Sequence, residues 1–172
     1  MGIEATARKA GRAVGKLLSG EGGEADILDK LEKDHEEVEE LLKKLVDSQS
    51  APERKSLLRQ IKLALVPHVR AEEKIVYDAV IALRGKEHAI NGEEGYLEHG
   101  LADRMLATLG KITGATSPEF SAAAKVLKEL VHHHVQEEES NVWSDVRDNF
   151  SEEQRLDMGR RFEAAKKKVK IP

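Results

Sequence analysis

Residues 68–73 read His-Val-Arg-Ala-Glu-Glu and residues 134–139 read His-Val-Gln-Glu-Glu-Glu, and these two stretches decide the fold. In each, a histidine precedes a glutamate by four positions, His68 with Glu72 and His134 with Glu138. On an α-helix that spacing stacks both side chains on one face, a turn apart. The face concerned is the apolar one. His68 follows Ile61, Ala64 and Leu65 and precedes Ile75, Val76 and Ala79, while His134 follows Leu127, Leu130 and Val131 and precedes Val142.

Working outward, the helices that carry the two motifs read as copies of one another. At an offset of 66 residues, Pro52-Glu53 falls on Pro118-Glu119, Ile61 on Leu127, His68-Val69 on His134-Val135, and Val76-Tyr77 on Val142-Trp143. The preceding helices match more loosely at an offset of 64, with Asp34-His35 on Glu98-His99, Leu41-Leu42 on Met105-Leu106 and Leu45 on Leu109. The chain is therefore two similar helical hairpins, each supplying one lone histidine and one His–Glu pair. Two copies are too few for a solenoid, which needs about three units to bury its faces.

Punctuation by Gly, Pro and capping residues sets the boundaries. An amphipathic N-terminal arm at 3–18 leads into the Gly-rich run 19–23, and a first long helix is expected over 26–47, with Ile27, Leu28, Leu31, Val38, Leu41, Leu42 and Leu45 in helical phase. A second runs from Pro52 to about 83, kinked by Pro67, and a loop at 85–92 leads to a third at 93–113. Ser117-Pro118-Glu119 opens a fourth that continues to about 149, and Ser151 with Gln154 reads as a capping box for a C-terminal helix ending in Lys166-Lys167-Lys168. The expected class is all-α, an antiparallel up-down four-helix bundle with extra N- and C-terminal helices. The division is 1–23 arm and linker, 24–150 bundle, and 151–172 C-terminal helix and basic tail.

Four histidines, His35, His68, His99 and His134, and two carboxylates, Glu72 and Glu138, thus point at one bundle centre. Burying carboxylates is costly unless they are paired or bind metal, and metal ions use neutral imidazole and ionised carboxylate together. Six nitrogen and oxygen donors exceed a tetrahedral zinc site and suit two metals bridged by the carboxylates. Such a histidine-rich set favours non-haem iron, with manganese or zinc as alternatives. Taken singly, an inward histidine is more often a hydrogen-bonded core residue than a ligand; the repeated, ordered set is what points to metal.

Asp34-His35, His68-Val-Arg-Ala-Glu72-Glu73, Glu98-His99 and His134-Val-Gln-Glu-Glu138-Glu139, in that order, resemble the hemerythrin-like, or HHE cation-binding, domain family over about residues 26–149. The resemblance implies an oxo- or hydroxo-bridged di-iron centre that binds O2 or related small ligands, with His35, His68, His99 and His134 as terminal ligands and Glu72 and Glu138 as bridges. Ferritin-like di-iron proteins use Glu-x-x-His instead and fit poorly. One departure stands out. Oxygen-carrying hemerythrins have a fifth histidine one turn after the third-helix ligand, where this chain has Asp103; the symmetric place on the first helix is Glu39. Each is open to three readings: an oxygen ligand, an acceptor for an imidazole N–H, or a surface acid. Simple reversible oxygen carriage is put in doubt.

His88, His132 and His133 read as incidental, Glu73, Glu137 and Glu139 as a solvated face, and Tyr77 and Trp143 as core or rim packing, with a group beside the ligand pocket as the alternative. Of 172 residues, 28 are Lys or Arg and 32 are Asp or Glu, a net charge of -4 that argues against nucleic acid as partner. The absence of cysteine excludes disulfides, thiolate sites and thiol catalysis. No apolar run reaches membrane-spanning length and no signal-peptide stretch is seen, so no stable membrane insertion is expected and the default location is cytoplasmic. Three functions compete: a binding or sensing domain for O2, NO or peroxide, a di-iron redox enzyme fed by an unidentified electron donor, and an iron-homeostasis module. A structural helical module without metal is the weaker alternative. The sequence leaves enzyme against binder, and the oligomeric state, open.

Overall fold

Four of the described helices begin where the sequence supplies a side chain to accept from a free backbone N–H of the first turn. The computed structural model describes residues 25–171, so the expected N-terminal arm and Gly-rich run lie outside the described residues. Helix α1 (Ile27–Asp47) starts at Asp26, whose carboxylate accepts from the Leu28 N–H. Helix α2 (Ala51–Glu72) is capped by Ser50 with Pro52 in its first turn. It continues through a π-helical segment, Glu73–Tyr77, into the short α3 (Asp78–Ile81). Helix α4 (Lys86–Lys111) follows, then α5 (Pro118–Ser140), capped by Ser117. Helix α6 (Val142–Asn149) precedes α7 (Glu152–Lys166), which opens with the expected capping box between Ser151 and Gln154. The described residues are all-helical, with no strand among them.

Three boundaries differ from the sequence expectation. Helix α4 starts at Lys86, so the expected 85–92 loop is reduced to a tight turn closed by Gly85 at φ 131, a backbone angle that favours glycine. His88 consequently sits in the first turn of α4 and faces Asp145 of α6 at 2.7 Å. The second helix carries Pro67 within its α segment and passes into a π segment at Glu73–Tyr77. The fourth is interrupted at Asn141 (φ -96, ψ -61). The two departures occupy equivalent places in the repeat, immediately after the two His–Glu motifs.

Helix α1 packs against α2 and α5, α4 packs against α5 and α2, and α7 lies across α1 and α2. The core is divided into two apolar clusters. One gathers Leu42, Leu45, Ile61, Leu109, Phe120 and Leu127; the other gathers Ile27, Leu31, Val76, Val80, Val146 and Phe162. Burying each large side chain of this kind contributes about 1.5–3 kcal/mol. The division is what positions the site. On α1, His35 lies between Leu31 of one cluster and Val38 of the other, and His134 of α5 lies between Val131 of its own helix and Val142 at the start of α6. A polar layer is thereby held between two dry ones.

The ends are held by a charged side chain that sequence reading did not single out. Arg54 is buried and donates to the Ser48 carbonyl at 2.7 Å, the Ala115 carbonyl at 3.0 Å and the Ser121 hydroxyl at 2.9 Å. It joins the α1–α2 and α4–α5 connections, so the two hairpins are tied together at the end remote from the His–Glu motifs.

Candidate metal centre

All six side chains expected at the bundle centre are buried and meet there: His35 from α1, His68 and Glu72 from α2, His99 from α4, His134 and Glu138 from α5. The four-residue spacing does what helix geometry requires, with His68 Nε2 lying 3.2 Å from Glu72 Oε2 and His134 Nε2 3.4 Å from Glu138 Oε2. Across the bundle, Glu72 Oε2 is also 3.4 Å from His99 Nε2, and Glu138 Oε2 is 3.4 Å from His35 Nε2. Each carboxylate therefore touches a histidine of each hairpin. His35, His68 and Glu72 form one three-donor group able to hold a metal ion, and Glu72, His99 and His134 form a second, sharing Glu72.

The outward ring nitrogens are engaged in a closed cycle. His68 Nδ1 meets Asp34 of α1 at 3.1 Å, and His99 Nδ1 meets Glu73 at 3.2 Å. His134 Nδ1 meets Glu98 of α4 at 2.6 Å, and His35 Nδ1 meets Glu139 of α5 at 3.4 Å. A carboxylate can only accept, so each Nδ1 carries the proton and donates it. In the neutral ring this leaves the Nε2 lone pair aimed at the centre. The acid beside a site residue on one helix thus serves the histidine of the next helix, around all four. Such outer carboxylates fix the ring orientation of a metal-binding histidine and raise its basicity. This corrects the reading of Glu73 and Glu139 as merely solvated. Their side chains are 16% and 24% exposed, and both contact site histidines.

Several inner atoms lack hydrogen bonds. Both oxygens of Glu138, Oε1 of Glu72 and Nε2 of His35 are buried with no hydrogen-bond partner. Orphaned buried polar atoms of this kind are expensive. The Nε2 atoms of His99 and His134 also face each other at 3.1 Å. Two lone pairs so placed repel unless a proton or cation lies between them. The donor set fits metal cations: imidazole and carboxylate only, orphaned atoms aimed inward, and an outer carboxylate on every ring.

Electrostatics in the metal-free protein follow from the same crowding. Burial alone would lower His35, but it is outweighed by Glu138 and Glu139, which push it up to about 10. His134 is likewise raised to about 9, with Glu138 and Glu98 overcoming burial, and His68 is raised through Glu72 and Asp34. Burial would raise Glu72, yet His68 and then His99 hold it well below the usual carboxylate range. Protons can therefore occupy the positions a metal would take.

Two aromatic residues expected as packing face the site. The Tyr77 hydroxyl is 3.3 Å from Glu72 Oε2, 3.3 Å from His99 Nε2 and 3.4 Å from His134 Nε2. Burial, and then the charges of Glu138 and Glu72, push the phenol well above its ordinary value, so it keeps its proton in the metal-free protein. Trp143 stacks on His35 with centroids 6.1 Å apart and planes 16° from parallel. Both lie beside the site, the less favoured of the two sequence readings, and for Tyr77 the reason is geometric. At about 100° per residue, nine residues of regular helix place Tyr77 about 180° from His68. The π segment overrides that phase, because a π turn takes in an extra residue and rotates every later side chain about the helix axis. A small signal was present in Gly95, against which the Tyr77 ring lies: a Cβ there would come 2.5 Å from Tyr77 Cζ.

Neither of the two extra candidates points inward. Asp103 accepts from Arg70 Nη2 and from nothing in the site, while Glu39 meets the exposed His132 at 2.7 Å. His133, 63% exposed, lies 3.8 Å from Glu98, and Glu137 is exposed. Beside the histidines a small cavity of about 20 Å3, walled largely by Val38, Leu65, Val69, Ala102, Val131 and Val135, opens toward His35, His68, His99 and His134. It has room for about one water-sized molecule.

The chain is similar in sequence to known proteins. A protein named DNA nickase from Nostoc sp. (strain PCC 7120 / SAG 25.82 / UTEX 2576) is 30% identical over 159 residues, which are 91% of this chain but 44% of that protein. The chain thus spans less than half the length of this relative. No solved structure gives a significant match. No helix among the described residues is long and apolar enough to cross a membrane. The family model of the hemerythrin HHE cation-binding domain matches residues 26–144, a span that contains all six converging side chains, and the chain belongs to that family.

Proposed function

We propose that this chain is a non-haem di-iron protein, an antiparallel four-helix domain that binds or reacts with O2, NO or peroxide in sensing, stress response or redox protection in the cytoplasm. The observation that carries the reading is the convergence of four imidazole Nε2 atoms and two under-satisfied carboxylates beside a small apolar cavity. His35 and His68 would hold one iron, His99 and His134 the other, with Glu72 and Glu138 between them. Manganese or zinc would fit the same donors. Bound iron supplies one-electron redox chemistry and open coordination for a small ligand.

The chain's own residues govern what reaches that centre. The apolar cavity admits a diatomic molecule and offers little to hold bulk water. The outer carboxylates keep all four rings oriented. The Tyr77 hydroxyl supplies a proton donor on the side of His99 and His134.

The decisive experiment is metal analysis together with the ultraviolet–visible spectrum. About two metal ions per chain are expected, and Glu72→Ala or Glu138→Ala should empty at least one position. Fewer than about one per chain after careful reconstitution refutes the reading. Adding O2, NO or peroxide to reduced protein then separates a binder, which forms a stable adduct, from an enzyme, which consumes the ligand continuously.

A nicking activity, suggested by the name of the Nostoc relative, is the second reading. A phosphodiester is too large for the cavity beside the histidines, and the net charge of -4 disfavours DNA. Incubation with supercoiled plasmid should therefore give no relaxation above a metal-only control. Relaxation that disappears in the Glu72→Ala variant would replace the redox reading with this one.

A further inference from the structure

Three of the four outer carboxylates, Asp34, Glu73 and Glu98, are alike in serving a histidine and unlike in what covers them. Asp34, beside His68, accepts from Lys166 of α7, and Phe162 of the same helix packs edge-on to His68 with centroids 5.7 Å apart. Glu73, beside His99, accepts from Arg70 at 3.1 Å. A cation attempting to approach the centre past either one meets a fixed positive charge. Glu98 is different: its contacts are with His134 Nδ1 at 2.6 Å and His133 Nε2 at 3.8 Å.

Glu98 lies on a narrow cleft between α4 and α5 whose lining contains no lysine or arginine. Exposed Glu94 and Glu137 stand at its mouth, Glu98 is half-buried along it, and His134, Glu138 and the Tyr77 ring form its floor. The carboxylates therefore step from water to the buried centre. Acidic side chains on a surface are common and would signify nothing alone. What distinguishes this cleft is its floor, because Glu138 is buried there with neither oxygen hydrogen-bonded. A hydrated divalent cation loses water stepwise and needs oxygen donors at each step; this row supplies them, and its negative field concentrates cations at the mouth.

We propose that the α4–α5 cleft is the path by which divalent iron reaches the centre, with Glu94 and Glu137 gathering the ion and Glu98 passing it to His134 and Glu138. The inference rests on the metal-centre reading, and it assigns a kinetic role to residues outside the donor set. It also makes the position at His99 and His134 the first to fill.

The test is the rate at which the full chain, stripped of metal, takes up Fe2+ anaerobically, followed by stopped flow with final content measured separately. The double variant Glu94→Gln/Glu137→Gln should reach the wild-type stoichiometry about tenfold more slowly at low ionic strength, with the gap closing as salt is added. Glu137→Lys should slow uptake as well. A control, Glu119→Gln/Glu129→Gln, changes net charge equally at exposed positions of α5 and should load at the wild-type rate. Wild-type rates in the cleft variants, or equal slowing in cleft and control variants, overturn the path while leaving the metal centre intact. A wild-type chain that takes up no metal overturns both.

Discussion

Stripping the metal should leave a protein whose stability falls as the pH rises, and loading it should reverse that slope. The ordinary histidine value of 6.5 applies to the unfolded chain, whereas folded His35 is raised to about 10. Below pH 6.5 both states carry the proton and the full stabilisation is present. Above 6.5 the unfolded chain sheds its proton while the folded chain keeps it, so stability is lost until the pH passes 10. At about 1.4 kcal/mol per pH unit, the loss is about 2 kcal/mol by pH 8 and about 5 kcal/mol by pH 10. His134 moves in the same direction, to about 9, but leans on the same Glu138 carboxylate, so the two contributions overlap instead of adding. In acid the sign reverses. Glu72, Asp34 and Glu98 are held below their ordinary range, and their contribution disappears as the pH falls through it. Metal-free stability should therefore peak between the carboxylate range and pH 6.5. Against a total of about 5–15 kcal/mol, a 2 kcal/mol decline is easily seen. Metal ions occupy the Nε2 positions that the protons vacate, so their binding strengthens with pH and adds stability by mass action. The assay is guanidinium unfolding at pH 6.5, 7.5, 8.5 and 9.5, in chelator and in metal. Far-ultraviolet circular dichroism is the probe, because the single Trp143 stacks on His35 and its fluorescence would report protonation as well as unfolding. Metal-free stability that stays flat or rises from pH 6.5 to 9 refutes the reasoning.

Other perturbations separate packing from chemistry. Gly95→Ala places a Cβ 2.5 Å from Tyr77 Cζ, so the ring must move; a loss of about 1–3 kcal/mol in denaturation is expected, with reduced metal content. Tyr77→Phe keeps the ring and removes the hydroxyl, so the melting temperature should move little while the visible spectrum of the loaded protein changes. Phe162→Ala empties a fully buried position against His68; about 3–5 kcal/mol should be lost in thermal unfolding, and α7 should become open to proteolysis.

What the sequence revealed and what it hid divide along one physical line. The inward set was legible because four-residue spacing on a helix needs no knowledge of neighbouring helices: His68 with Glu72 and His134 with Glu138 declare a shared face by themselves. The outer carboxylates were visible only as neighbours, Asp34 beside His35, Glu73 beside Glu72, Glu98 beside His99, Glu139 beside Glu138. One residue along a helix turns a side chain about 100°, away from the centre and toward the adjoining helix, so each acid serves a histidine that the linear sequence does not place beside it. Tyr77 was legible as a candidate from its repeat position, but its approach to the site depends on a break in the helical period that composition does not announce.

The same distinction explains why a symmetric repeat builds an asymmetric centre. Repetition fixes the six inward donors and the ring of four acids, which together treat the two hairpins alike. What differs comes from unlike side chains at equivalent places of the repeat and from α7, which lies outside it. Tyr77 brings a hydroxyl to His99 and His134, where its repeat equivalent, Trp143, brings a ring face to His35. Lys166 and Phe162 of α7 lie over Asp34 and His68, while the equivalent ground beside Glu98 and His134 is a cleft lined by acids. In the proposed centre, the His35–His68 side would be stacked and backed by a cation, and the His99–His134 side would have a proton donor and an acidic cleft beside it. Two chemically equal positions could store metal, but unequal ones can divide the labour between holding an ion and meeting a ligand. Under the proposed two-metal reading, the unlike pair Tyr77 and Trp143 and the covering helix α7, more than the shared donors, would suit the centre to reaction rather than storage.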